Sequence, residues 1–329
     1  MKFLFNDYPY YVPLTIYEKA IQGMVEKLRG QEGIMSIFQI GSTLHPGISD
    51  IDMVIVFKEN GAFHLNPLEG LSKTERYLFI HPPFGVSKTD LIEAQRYMFF
   101  QNWRLLWGEK FTSEEHNLLE EEIRCLKIQT ALEYLIQNYI NLTTLSAYGI
   151  FSVRALLLNM KAMLFDLQLL NVLSGRLYEL LETLVKWRNN WFEIKPNTTH
   201  LSEWIQDCYR ELHAFLKTFL KTETFYFPEW GAFRISKNVT LVPSEHFFCN
   251  HQGIILPALF SFLGRKYFKI QRRLNEFLFH LPIQKGEVPP ILAKRFELEY
   301  RMVRFNSDKD FMPLRSSLNF LRKIQFNGT

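Results

Sequence analysis

The chain predicts an α+β protein, and three observations carry that prediction. Two apolar runs, Ile34–Ile40 and Met53–Phe57, flank a turn-rich stretch and read as strands. From Thr112 the apolar positions recur at helical spacing, in segments long enough for four helices with short connections, a bundle. Past Pro228 a hairpin-like stretch precedes more helices. With 329 residues and an apolar fraction of 47%, the chain can bury more than one core. The expected domains are 1–111, a mixed sheet with helices; 112–227, a helical bundle; and 228–329, a basic and mainly helical region.

In chain order, Thr15–Arg29 is an amphipathic helix with Ile16, Ala20, Met24 and Leu28 on one face, ending at Gly30. The strand Ile34–Ile40 runs into Gly41-Ser42. A compact loop follows, turned by Pro46-Gly47, and its His45 reads as uninvolved. Then comes Ser49-Asp50-Ile51-Asp52, leading into the second apolar run. Residues two apart on a strand share a side, so Asp50 and Asp52 project together while Ile51, Met53 and Ile55 face the other way. Paired carboxylates repel each other, and a hard divalent cation between them is the usual reason to tolerate that.

A strand is expected at Arg76–His81, stopped by Pro82-Pro83; it carries His81 and no acid. Asp90, the nearest later acid, follows Ser87-Lys88-Thr89 at the start of a helix expected over Leu91–Phe100. Trp103–Glu109 reads as the last strand of this region.

A capping box at Thr112-x-x-Glu115 opens the helical part, followed by helices over Ser152–Leu173, Arg176–Phe192 and Leu201–Lys221. In the last, Trp204, Ile205, Cys208, Leu212, Phe215 and Phe219 form a core stripe. Glu121, Glu122 or Glu133 could face the cleft and serve as base, with a solvated helix face the plainer reading of each. A hairpin over Ala232–Ile235 and Val239–Val242 precedes helices at Leu259–Leu281 and Ile291–Phe305. Lys266, Lys269, Arg272 and Arg273 fall on one face of the first of these, the best anion surface in the chain.

Charge is unevenly placed, with net values of −1, −4 and +9 over 1–111, 112–230 and 231–329. The basic last third suits a polyanion such as RNA. Three widely separated cysteines, Cys125, Cys208 and Cys249, argue against a disulfide framework or a zinc site and for a reducing cytoplasm. No secretory leader is expected, because Asn6 and Asp7 interrupt the first apolar stretch. Lys161 and Asp166 interrupt the most apolar helix, and no membrane partner is expected.

The order apolar strand, Gly41-Ser42, short loop, Ser49-Asp50-Ile51-Asp52, apolar strand resembles the signature of the nucleotidyltransferase superfamily, the polymerase-beta-like fold. Trp107-Gly108-Glu109 is similar to the close of the catalytic domain in the aminoglycoside-type branch, as is a helical bundle after that domain. The resemblance covers about the first third of the chain. It implies that Gly41 and Ser42, with Ser49, hold the triphosphate of an NTP, and that Asp50 and Asp52 bind two magnesium ions. Asp90 is the candidate third catalytic carboxylate. The implied reaction is Mg2+-dependent transfer of a nucleoside monophosphate from an NTP to the hydroxyl of a small-molecule acceptor. Two alternatives stay open: an RNA acceptor bound through Lys266, Lys269, Arg272 and Arg273, or a nucleotide-binding protein that has lost catalysis with the third acid.

Overall fold

The computed structural model describes residues 2–58, 65–99, 102–111, 118–227, 234–284 and 287–314. The protein is of mixed α+β class, and it divides into two compact units built from separated stretches. One, the sheet unit, comprises Tyr10–Ile123 and Pro289–Ser316; the second is formed chiefly by Met1–Pro9 and Arg124–Val288.

A short strand, β1 (Leu4–Asn6), belongs to the second unit. The sheet unit begins with α1 (Leu14–Arg29), whose Tyr17, Ala20, Ile21, Met24 and Leu28 are buried; Lys27 and Arg29 lie in its last turn, where the helix dipole favours cations. Next come β2 (Ile34–Ile40) and β3 (Asp52–Phe57), antiparallel with Ile40 opposite Asp52. Ile51, Met53, Ile55 and Phe57 pack with the α1 residues in one core, as the period of two predicts. Val54 and Val56, on the other face, are also fully buried, so β3 is covered on both sides.

The strand expected at Arg76–His81 is instead a helix, α2 (Lys73–Leu78). The Ser72 hydroxyl accepts from the Glu75 amide, and the Glu75 carboxylate accepts from the Ser72 amide, so a reciprocal capping box starts a helix that the apolar run alone does not reveal. The strand beside β3 is β4 (Phe84–Ser87), parallel to it with Val54 opposite Phe84. Ser87 then caps α3 (Lys88–Ala94), shorter than the helix expected to reach Phe100, and β5 (Trp103–Gly108) pairs antiparallel with β2.

From Arg124 onward in the second unit, α4 (Glu120–Tyr148) leads through β6 (Ile150–Ser152), parallel to β1, into α5 (Val153–Leu169), α6 (Arg176–Asn189) and α7 (Thr198–Phe219). The capping box expected at Thr112 lies outside the described residues. On α7, Trp204, Ile205, Cys208 and Leu212 are buried, while Phe215 and Phe219 are half-buried and stacked on each other.

After β7 (Phe225–Tyr226) come β8 (Arg234–Ser236) and β9 (Val239–Pro243), an antiparallel pair at the expected hairpin, then β10 (Phe248–Gly253). The helix expected over Leu259–Leu281 is divided into a 3-10 turn at Ala258–Leu263, α8 (Arg265–Leu274) and a strand, β11 (Asn275–Leu281). Phe277, Phe279 and Leu281 are buried at a period of two, and pairing with β9 and β10 takes the place of helix continuation. Here the region expected to be mainly helical holds a four-stranded sheet. A two-residue strand, β12 (Ile283–Gln284), pairs with β7.

The chain then rejoins the sheet unit. α9 (Pro290–Phe305) and β13 (Met312–Pro313) complete its five-stranded sheet, in the order β13-β4-β3-β2-β5. The Asn306 amide donates to Gly85 O at 2.9 Å, and Phe57 packs on Phe305 and Phe311. A Cβ on Gly85 would lie 2.4 Å from Asn306 Oδ1, so only glycine lets this segment approach β4.

No disulfide links Cys125, Cys208 and Cys249. Among the described residues, no helix is long and apolar enough to cross a membrane.

Candidate metal centre

The Asp-x-Asp segment is held from below by tyrosines. The Tyr17 hydroxyl donates to Ser49 O at 2.7 Å and accepts from the Gly47 amide at 2.9 Å. The Tyr77 hydroxyl donates to Gly47 O at 2.5 Å. Gly47 has φ +82°, and a Cβ there would lie 2.1 Å from Tyr10 O, so both its conformation and its crowding demand glycine. These contacts fix the loop before any ligand arrives.

One backbone bond then joins this loop to α2: the Ile51 amide donates to Leu78 O at 3.0 Å. It sits between Asp50 and Asp52 on one side and three residues before His81 on the other. Consequently His81, in the connection from α2 to β4, meets the carboxylates. Its Nε2 lies 3.0 Å from Asp52 Oδ1, and its Nδ1 lies 2.7 Å from Pro82 O. One donor atom each from Asp50, Asp52 and His81 falls within 4.8 Å of the others, and all three residues are half-buried.

A carbonyl only accepts, so Nδ1 carries a proton directed at Pro82 O, and Nε2 is the nitrogen turned to the carboxylates. This is the arrangement in which a histidine binds a metal, its second nitrogen fixed by a backbone acceptor. Burial disfavours a charged ring. The hydrogen bond to Asp52, the Pro82 carbonyl and the charges of Asp52 and Asp50 outweigh it, and the His81 pKa is raised above the ordinary histidine value.

The donor set fits a divalent cation. Two carboxylates with an imidazole suit Mn2+ or Zn2+ at least as well as Mg2+, which favours oxygen-only surroundings.

Of the residues singled out in the sequence, Asp50 and Asp52 come together, and Gly41 lies beside them: an ideal Cβ on Gly41 would be 3.5 Å from Asp52 Oδ2. Gly41 has φ +74°, the left-handed conformation glycine accepts freely. Ser42 is exposed, and its hydroxyl oxygen accepts from the Leu44 amide at 3.3 Å. Ser49 is buried under the loop. Asp90 lies in the first turn of α3 with its carboxylate 3.1 Å from Arg301 Nε on α9, and it is not part of the three-residue group. The added member is His81, which sequence reasoning registered only as a histidine where an acid was sought.

No family model and no curated protein matches the chain. The reading of the site therefore stands on its residues and their geometry.

Proposed function

We propose that the sheet unit is a metal-dependent nucleotidyltransferase, which passes a nucleoside monophosphate from an NTP to a hydroxyl acceptor and releases pyrophosphate. The observation that carries this reading is the convergence of Asp50, Asp52 and His81 within 4.8 Å, beside the Gly41-Ser42 turn. A divalent cation held there would offset phosphate charge and lower the pKa of the attacking hydroxyl. Asp50 and Asp52 supply the anionic ligands and His81 the nitrogen. The turn offers backbone N–H groups to phosphate oxygens. Ser42 accepts from Leu44 through its oxygen and so keeps its own proton to donate to the same phosphates. The tyrosine-braced loop holds these groups in place, so little ordering is left to substrate binding.

The test is incubation with labelled NTPs, a panel of hydroxyl acceptors and Mg2+ or Mn2+, with pyrophosphate as readout. Asp52→Asn abolishes release; a variant with undiminished turnover would falsify the assignment. A second reading, nucleotide binding without transfer, is favoured by one observation: the third member of the group is a histidine, while Asp90 is paired with Arg301. Thermal stabilisation by NTP and metal, with no pyrophosphate across the panel, selects that reading.

A further inference from the structure

We propose that the second unit carries a docking surface for an anionic lipid bilayer, formed by the apolar 3-10 turn at Ala258–Leu263 and the basic face of α8. The turn presents large side chains to solvent: Leu259 is 64% and Phe262 76% exposed, with Ile254, Phe260 and Leu263 beside them in the chain also exposed. Five large apolar side chains exposed within ten residues mark an interaction site rather than singly scattered surface. Lys266, Lys269, Arg272 and Arg273 on α8 are all exposed. Between Glu245 and Glu276 the chain holds no acidic residue, so nothing within this stretch neutralises them.

The arrangement is rigid. Tyr267 and Gln271, on the opposite side of α8 from the four cations, are fully buried. The Tyr267 hydroxyl lies 3.0 Å from Leu256 O, Gln271 Nε2 donates to Leu256 O at 2.9 Å, and the Leu256 amide donates to Gln271 Oε1 at 3.2 Å. These bonds pin the chain entering the turn to the helix behind it. The turn closes through the Gly264 amide to Ser261 O at 2.8 Å. Since the inner side of α8 is used up in this packing, the helix does not itself insert. The turn supplies the apolar contact while α8 lays its cations at headgroup level, the two terms that together give peripheral membrane binding.

The same cations were read above as an RNA surface. Phe260, Phe262 and the guanidinium planes of Arg272 and Arg273 would serve base stacking as well, but the exposed Ile254, Leu259 and Leu263 are aliphatic and gain nothing from it. They do match acyl chains.

The full chain is sedimented with phosphatidylcholine vesicles, with and without phosphatidylserine, at low and high salt. Binding to the anionic vesicles alone, weakened by salt, is expected. Lys266→Glu and Lys269→Glu should each weaken it at least about fivefold, the value of one basic residue near such a surface. Leu259→Ser with Phe262→Ser, checked for an unchanged circular dichroism melt, should abolish what binding survives at high salt. Failure of the unmodified chain to sediment with anionic vesicles overturns the inference. So does vesicle binding unaffected by Leu259→Ser with Phe262→Ser, or RNA retention or self-association through the patch in place of vesicle binding.

Discussion

Replacing His81 is the sharpest probe of the candidate metal centre. Nδ1 is committed to Pro82 O at 2.7 Å, and Nε2 faces Asp52 at 3.0 Å. His81→Ala removes one of three donors from the group. Even an imidazole that only oriented Asp52 would be worth about 10- to 100-fold in metal affinity, or about 1.4–2.7 kcal/mol, and loss of a direct ligand costs at least as much. His81→Asp separates charge from donor type. It puts a third anionic oxygen ligand in place of the nitrogen, the wrong softness for Zn2+ and the right one for Mg2+, so the affinity ratio Zn2+ to Mg2+ should fall about tenfold or more. Titration calorimetry of the two chlorides into the parent chain and both variants reads this directly, with a thermal melt as control for folding. Unchanged Zn2+ affinity in a folded His81→Ala chain would refute the assignment of His81 to the site.

Three further outcomes follow from the described contacts. Gly47→Ala should destabilise the sheet unit by about 3 kcal/mol or more in urea unfolding, because left-handed strain and the 2.1 Å approach to Tyr10 O act together. Tyr17→Phe leaves the buried Gly47 amide and Ser49 carbonyl without their shared hydroxyl, and about 2 kcal/mol should be lost. Burial raises the Asp166 pKa well above the usual carboxylate value, and its Oδ2 has no hydrogen-bond partner among the described residues. The folded state therefore keeps a proton that the unfolded state releases, so this residue favours folding only at low pH. Its contribution is lost as pH rises from about 4 toward the raised folded value. Asp166→Asn should be more stable than the parent at pH 7 and show a flatter stability profile above pH 4; a lower melting temperature at pH 7 would contradict this.

The acidic half of the centre was legible because it is local. A period of two places Asp50 with Asp52, and glycine at 41 marks a turn without any tertiary knowledge. His81 was harder, since Tyr77-Leu78-Phe79-Ile80 reads as a strand. The contrary signal, Ser72-x-x-Glu75, lies upstream of that run, and only the helix it starts brings Leu78 O to Ile51. The failure at β11 has a similar origin. The cations of α8 have helical spacing, and that pattern predicts a helix running past Leu274, although Phe277, Phe279 and Leu281 already alternate. The joining of residues 289–314 to the N-terminal sheet had no local signal, because strand pairing between β4 and β13 is a contact across more than two hundred positions.

That last pairing bears on how the protein is made. A ribosome releasing the chain from its N-terminus exposes β2, β3, β4 and β5 long before β13 and α9 exist. Until then, Phe57 lacks Phe305 and Phe311, and the Gly85 carbonyl lacks Asn306. The interval covers the synthesis of nearly the whole second unit, which can fold as an insertion while the first waits. A fragment ending near residue 111 would hold every residue of the candidate metal centre, yet it would leave the open edge of β4 available to pair with another molecule. Aggregation of such truncations, relieved by supplying 289–314 as a separate peptide, is the outcome expected of this topology.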